Sequence, residues 1–483
     1  MKAMFRVRAP AIAAAMLLSA CAAPGFHQPE VAVPGRFRES QQPAAGAVHT
    51  APDGTTWKLG RPVGEFARGE WWRVFGDARL DDLIEEADAN NQDHAAAYAR
   101  LRQARALFAA AQADRSPQLD LGAGAQRGRV PGQGGAPAPA SSYTARLSAS
   151  YEVDLFGRVS SNVAAARSDT LVSAASYRSL LLSLQADVAQ AYFRLRSLDA
   201  ELANLGQTVS LREETLKVTE RRLALGDIGE LDVERARTEL AIARAEAIGL
   251  QRQRANSEHA LAVLLGRPAP DFSFQADPLP AAGTLPQVPS GLPSALLERR
   301  PDVAAAQHAM RAANARIGVA RAAMFPAISL NAGGGSVAGA ASSLFSWSTR
   351  SWVLGALLQL PLLDGGRNRA NVERSEAVLE EAVGSYRQRV LVAFAEVEDN
   401  LAGLRILGEQ SVRIDEAVVS ARRAASLAQK RYEAGRSGYL ELLDAQRQLA
   451  LAERSAVQLR GERVLATVAL IRALGGDWRE GGA

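Results

Sequence analysis

Cysteine occurs once in these 483 residues, at Cys21, and lysine only at Lys2, Lys58, Lys217 and Lys430. One thiol closes no internal disulfide, so stability must come from packing and hydrogen bonds. With so few lysines, a GxxxxGK[ST] phosphate loop or an SxxK nucleophile motif would stand out, and neither is present. The five histidines, at 27, 49, 94, 259 and 308, form no HExxH, and one cysteine forms no CxxC. No metal site, no cofactor and no enzymatic activity are expected. The chain is 47% hydrophobic but only 6% aromatic, a composition neither of a disordered protein nor of a bundle of membrane helices. Charge of one sign is also missing. The 56 basic and 52 acidic residues become 53 and 52 once Lys2, Arg6 and Arg8 are set aside with the leader described below. Arg235, Arg237, Arg244, Arg252 and Arg254 are interleaved with Glu234, Glu239 and Glu246, which marks solvated helix faces and argues against a nucleic-acid partner.

Residues 1–20 combine a basic start, an apolar stretch from Ala9 to Leu18, and Leu18-Ser19-Ala20 immediately before Cys21. This is the layout of a secretory signal peptide, and its apolar stretch is too short to span a bilayer, which takes roughly 20 residues. Leu-Ser-Ala-Cys resembles the lipobox of bacterial lipoproteins. The resemblance implies a diacylglycerol on the Cys21 sulfur and a further acyl chain on its freed amine. Ala22, where an aspartate would favour the inner membrane, implies the outer membrane.

A shift of 209 residues superimposes much of the chain on itself. It pairs Asp93 with Asp302, Pro117 with Pro326, Gly157-Arg158 with Gly366-Arg367, Gly226 with Gly435, Gly229 with Gly438, and Leu265-Gly266 with Leu474-Gly475. One offset that brings turn glycines and prolines together indicates a tandem duplication. The expected layout is a signal over 1–20, an extended segment over 21–79, a first repeat over 80–266, a Pro/Ala/Gly-rich linker over 267–293, a second repeat over 289–475, and a tail over 476–483. Leu181, Val188, Leu195, Leu202, Val209, Leu216 and Leu223 recur every seven residues, the mark of a long coiled-coil helix from Arg158 to Leu225. Copy two repeats it from Arg367 to about Glu433. Each long helix ends at a Gly-x-x-Gly turn, Gly226 to Gly229 and Gly435 to Gly438, after which a helix of about 36 residues returns. Single helices are expected over Leu80–Arg115 and Ser294–Met324.

From Tyr143 to Leu155 the residues alternate, with Tyr143, Leu147 and Tyr151 on an apolar face and Thr144, Arg146, Ser148 and Glu152 on a polar one. The counterpart in copy two carries Trp352 and Leu354 on its apolar face. Strands are expected over about 118–128, 143–156, 327–337 and 347–363. Loops rich in Gly, Pro and Ser are expected from Val130 to Ser142 and from the triplet Gly333-Gly334-Gly335 to about Ser346. A soluble sandwich also alternates, but four strands are too few to bury this much apolar surface. An open four-stranded sheet in lipid is excluded by its unsatisfied edges. Three chains supply twelve strands, enough for an aqueous lumen, so a homotrimer is the smallest pore-forming assembly. Tyr143, Leu147, Tyr151, Trp352 and Leu354 are the candidate lipid-facing residues.

Trp71-Trp72-Arg73-Val74-Phe75-Gly76-Asp77, Arg299-Arg300-Pro301-Asp302-Val303, Phe325-Pro326, Tyr432-Glu433-Ala434-Gly435 and Leu443-Asp444-Ala445-Gln446-Arg447 together resemble the motifs of the outer-membrane efflux protein family, the TolC/OprM-type channels, in its lipidated NodT-like branch. The resemblance covers Cys21 to Trp478. It implies a mainly α fold with a membrane β-barrel: tandem long helices forming a periplasmic α-barrel, and a 12-stranded trimeric barrel in outer-membrane lipid. It also implies partners, a periplasmic adaptor and an inner-membrane RND-type transporter, with the turns at Gly226, Gly229, Gly435 and Gly438 as the docking end. By the same resemblance Asp232 and Tyr432 tether neighbouring helices of a gate, and Glu441 and Asp444 line an acidic constriction. The chain departs from the family pattern at Ser437, where some members hold a basic tether, and at Glu441, where others have aspartate. The rival reading is a periplasmic lipoprotein adaptor with coiled-coil hairpins, a connector and not a pore.

Overall fold

The computed structural model describes residues 25–39, 49–50, 56–59, 70–131, 137–280, 285–288 and 293–476. Cys21 and the signal lie outside the described residues. In chain order the elements are β1 (His49–Thr50), β2 (Thr56–Leu59), α1 (Ala78–Asn90), α2 (Gln92–Ala113), β3 (Gln118–Pro131), β4 (Pro137–Val153), α3 (Arg158–Ala224), α4 (Glu230–Leu264), β5 (Pro286–Gln287), α5 (Pro293–Arg299), α6 (Pro301–Ala322), β6 (Ala327–Ala338), β7 (Arg350–Gln359), α7 (Arg367–Glu433) and α8 (Tyr439–Ala473). The long helices α3 and α7 each have 67 residues, and the returning helices α4 and α8 each have 35. Among the described residues no helix is long and apolar enough to cross a membrane. The chain packs as two units. One holds Ala99–Ala175 and Ala305–Gln388, and the other holds Ala32–Tyr98, Ser176–Ala304 and the residues from Arg389 onward.

The first unit is built on an antiparallel sheet in the order β3-β4-β6-β7. Directly paired residues point to the same side, so the register sorts the side chains. Leu121, Leu147, Gly334 and Trp352 form one row across all four strands, and Leu119, Ala149, Ala332 and Leu354 form the next. Tyr151 stands opposite Leu330, and Tyr143 opposite Ala125 and Ala338. The reverse face carries the row Asp120, Ser148, Gly333 and Val353, then Gly122, Arg146, Gly335 and Ser351.

Several strand bounds differ from the sequence expectation, among them the end of β7, which stops at Gln359 and not at 363. The loop expected from Val130 to Ser142 is mostly ladder, which continues to a Pro131–Pro137 pair. Pro137 and Pro139 are tolerated because β6 reaches only to Tyr143, so that stretch of β4 is an edge needing no donor on its outer side. Strand β4 stops at Val153, short of 156, because the Asp154 carboxylate turns to accept the Val159 and Ser160 amides at the start of α3, at 2.8 and 2.7 Å. Strand β7 begins at Arg350 and not 347, because Trp347–Thr349 form a 3-10 turn, within which Thr349 Oγ1 donates to Ser346 O at 2.9 Å. The glycine triplet lies inside β6, not in a loop. A Cβ on Gly335 would meet Ala145 O at 2.2 Å, so only glycine allows that backbone approach.

The second unit is centred on a cluster that includes Trp71, Trp72, Leu80, Ile84, Tyr192, Leu195, Leu261, Leu265 and Val468. Asp77 caps α1 by accepting the Arg79 amide at 3.1 Å, and its other oxygen accepts Tyr192 Oη and Arg196 Nη1, both at 2.7 Å. The tryptophan motif is thereby anchored to α3. Strands β1, β2 and β5 add a small three-stranded sheet where the sequence predicts extended chain and linker.

The helices expected over 80–115 and 294–324 are each broken. Asn91 adopts an extended conformation between α1 and α2, donates to Leu264 O at 2.9 Å and accepts the His94 amide at 3.0 Å. In copy two the break falls at Arg300, whose Nη1 donates to Ala473 O at 3.0 Å and which precedes Pro301. Proline cannot supply the amide that an uninterrupted helix requires. In each copy, then, the break is stapled to the last carbonyl of the returning helix. The turn that follows approaches closely too: a Cβ on Gly266 would sit 2.4 Å from Asn90 O, and one on Gly475 2.7 Å from Arg299 O. Both glycines have positive φ, 71° and 89°. Gly475→Ala should therefore cost at least the roughly 1–2 kcal/mol of a left-handed non-glycine residue. A denaturation midpoint lower than that of the wild-type protein checks this.

Candidate functional site: the hairpin turns and the strand face

Helix α3 ends at Gly226, φ 79°, and α7 ends at Gly435, φ 68°. Gly226 N donates to Leu223 O and Asp227 N to Arg222 O, both at 2.9 Å. Gly435 N donates to Tyr432 O at 3.0 Å and Arg436 N to Arg431 O at 2.8 Å. This is the same paired-bond termination in both copies, and it needs a left-handed residue at the glycine. Gly229 and Gly438 then serve as the extended N-caps of α4 and α8.

The structure places the four predicted gate residues in different surroundings. Tyr432 is only 2% exposed, packed edge-on to Tyr439 with ring centroids 6.1 Å apart. The Arg222 guanidinium lies 4.7 Å above its ring, and Arg222 Nη1 donates to Tyr432 O at 3.2 Å. Tyr432 thus links α7 to α3. Burial raises its hydroxyl pKa, and the Arg222 charge partly opposes the rise. Asp232 pairs with Arg235 of its own helix at 3.4 Å, and among the described residues no ion pair takes it to another helix. Glu441 pairs with Arg431 at 2.8 Å. Asp444, one turn further along α8, is exposed on the same side, while Leu442 and Leu443 are buried.

A polar network behind the turns has no counterpart among the sequence expectations. Arg212, 4% exposed, donates to Gln446 Oε1 at 2.7 Å and lies 3.7 Å from Glu239 Oε2, and Arg447 also donates to Glu239. The network joins α3, α4 and α8. Its one sequence signal is Gln446-Arg447 inside a quoted motif, and nothing along the chain pairs that motif with Arg212. The Arg447 hydrogen bond holds the Glu239 carboxyl below its ordinary value of 4.5 against the opposing effect of burial. A depressed folded pKa contributes stability that is complete above 4.5 and lost as pH falls through the folded value. Glu239→Gln should flatten the acid limb of a circular-dichroism pH titration below that point. An unchanged limb would remove Glu239 from the account.

On the sheet, all five candidate lipid-facing residues share one face. Leu147 is 47%, Trp352 80% and Leu354 72% exposed, as are Leu119 and Leu121 at 66% and 80%. A contiguous apolar face of this kind does not suit water. A chain that carries such a face and two long helical hairpins is a channel protomer.

A model described as outer membrane efflux protein matches the chain twice, over residues 83–267 and 292–476. The chain is 38% identical to outer membrane protein OprJ of Pseudomonas aeruginosa, over 85% of this chain and 87% of that one. It is 32% identical to the cation efflux system protein CusC of Escherichia coli, over 96% of this chain and 98% of that one. The solved outer-membrane channel OprN superposes with a TM-score of 0.84 at 30% identity, over 94% of this chain and 99% of that chain. The chain belongs to the outer membrane efflux protein family. The solved relatives are outer-membrane channels and not adaptors, which removes the adaptor reading. Family members are channels rather than enzymes.

Proposed function

We propose that this protein is the outer-membrane exit duct of a tripartite efflux pump, passing small molecules from the periplasm and an inner-membrane RND-type transporter to the exterior. The observation that carries the reading is the register of the sheet, which puts Leu119 and Leu121, Leu147 and Tyr151, Leu330, and Trp352 and Leu354, from all four strands, on one face. Strands β3 and β7 are the edges of the sheet within one chain. In lipid both edges must be paired, and three copies joined edge to edge close a 12-stranded barrel. The helical hairpins then form the periplasmic tunnel, with the Gly226–Gly229 and Gly435–Gly438 turns as the adaptor-docking end. Asp232 and Tyr432 tether the closed state there, and Glu441 and Asp444 line the constriction. Conductance in planar bilayers by a purified trimer tests the reading, and a stable monomer in mild detergent defeats it.

The lipobox-like run supports a lipid anchor. Cys21 becomes the mature N-terminus and carries the diacylglycerol and N-acyl chains. Mass spectrometry of the mature protein should show their added mass on Cys21, and an unmodified Cys21 or cleavage elsewhere would rule it out. Because the barrel also holds the protein in the membrane, Cys21→Ser should impair sorting while assembled trimers still conduct.

A further inference from the structure

Between residues 121 and 151 the sequence holds three arginines, Arg127, Arg129 and Arg146, and no aspartate or glutamate. Between 322 and 363 it holds Arg350 and, again, no acid. The register sorts these four cations. Arg127 stands opposite Ser141 and Arg129 opposite Pro139, in the same odd-numbered set of β3 as Leu119 and Leu121. Arg350 stands opposite Ser336, in the same even-numbered set of β7 as Trp352 and Leu354. Arg146, opposite Gly122 and Gly335, is on the polar face. Three of the four therefore belong to the apolar face, where a charge is least expected.

Their place along the strands is equally specific. At one end the strands run into helices α2, α3, α6 and α7, and at the other they meet in the β3–β4 hairpin and the β6–β7 connection. Arg127 and Arg129 lie two and four residues past the Ala125–Tyr143 row toward the hairpin end, about 7 and 13 Å beyond it at the rise of a strand. Arg350 begins β7 in the row of Ala123, Ala145 and Ser336, two residues short of the Ala125–Tyr143 row, about 7 Å. Its guanidinium lies 4.8 Å from the Trp347 ring, which is 82% exposed, so the charge is carried toward the connection and away from Leu354. Since the helices are periplasmic, this end faces outward.

We propose that Arg127, Arg129 and Arg350 form a lipid-facing basic rim that binds the phosphate groups of the outer-leaflet glycolipid. The inference rests on the channel reading above. Charge complementarity selects this occupant. The rim borders a hydrocarbon-compatible face, and guanidinium groups match phosphate oxygens with paired charge-assisted hydrogen bonds. Joining β7 of one copy to β3 of the next puts Arg350 on the strand beside Arg127 and Arg129. Each subunit boundary then offers three cations to a headgroup with two phosphates. A bound glycolipid would bridge the boundary and strengthen the trimer.

The test uses the full-length trimer in detergent at 0.15 M salt, with native mass spectrometry and thermal melting as readouts. Bisphosphorylated lipid A should bind at least roughly tenfold more tightly than its dephosphorylated form and should raise the melting temperature of the trimer. The variant Arg127→Gln/Arg129→Gln/Arg350→Gln should lose that discrimination, and Arg146→Gln, on the other face, should keep it. Equal binding of the two lipids by the wild-type protein overturns the proposal without reference to any variant. So does a triple variant that still discriminates, or inorganic pyrophosphate that stabilises the trimer as well as the lipid does. Planar-bilayer conductance of the same preparations reads the channel separately. A conducting trimer that fails to discriminate overturns the lipid rim alone, and a chain that forms no pore overturns the rim and the channel together.

Discussion

Leu147→Arg should abolish assembly of the barrel, and Ser148→Arg, one residue on, should leave it nearly intact. Leu147 lies between Leu121 and Gly334 in the row that ends at Trp352, so an arginine there enters the lipid-facing surface. At the bilayer midplane that costs about 2–4 kcal/mol, and it is incurred once in each of three copies. Ser148 faces the other way. It pairs with Asp120, two residues along from a native arginine, Arg146, on the same face. An arginine at 148 therefore gains a carboxylate partner and stays in the aqueous lumen. The fraction of heat-modifiable trimer on semi-native gels checks both variants. Equal damage from both would defeat the assignment of faces.

The second large effect concerns the gate. Six carboxylates, Glu441 and Asp444 from three chains, crowd the proposed constriction and attract cations. They are not equivalent, because Arg431 stands 2.8 Å from Glu441 and partly neutralises it. Asp444→Asn should therefore weaken block by di- or trivalent cations from the periplasmic side several-fold more than Glu441→Gln, and the double variant should nearly remove it. Arg222→Ala should act differently. It removes the guanidinium that holds the Tyr432 ring and carbonyl, loosens α7 from α3, and should raise resting conductance with little change in cation block. Single-channel recording separates the two phenotypes. Cation block that survives in the double variant would mean that these acids belong to an ordinary solvated helix start.

The period of 209, the heptads and the Gly-x-x-Gly turns were legible because they depend on local rules. A helix shows its buried seam every seven residues, a left-handed terminus asks for glycine wherever it falls, and a strand shows its two faces by alternation. The outer-membrane class followed from those patterns together with the motifs. The breaks at Asn91 and Arg300 were not legible, because each is fixed by a carbonyl 173 residues away in sequence, Leu264 and Ala473. The same holds for Arg212 with Gln446, and for Arg222 with Tyr432.

Alternation within one strand says only that it has two faces; it does not say which face of the next strand lies beside it. A slip of one residue would have turned the apolar set of β6 or β7 to the opposite side. The sequence alone determined the duplication, the long helices and the two-faced strands. Only the tertiary register decided that the four apolar faces coincide, that Arg127, Arg129 and Arg350 rim them, and that Arg146 does not, because cross-strand hydrogen bonding sets pairing between segments that the chain itself leaves independent.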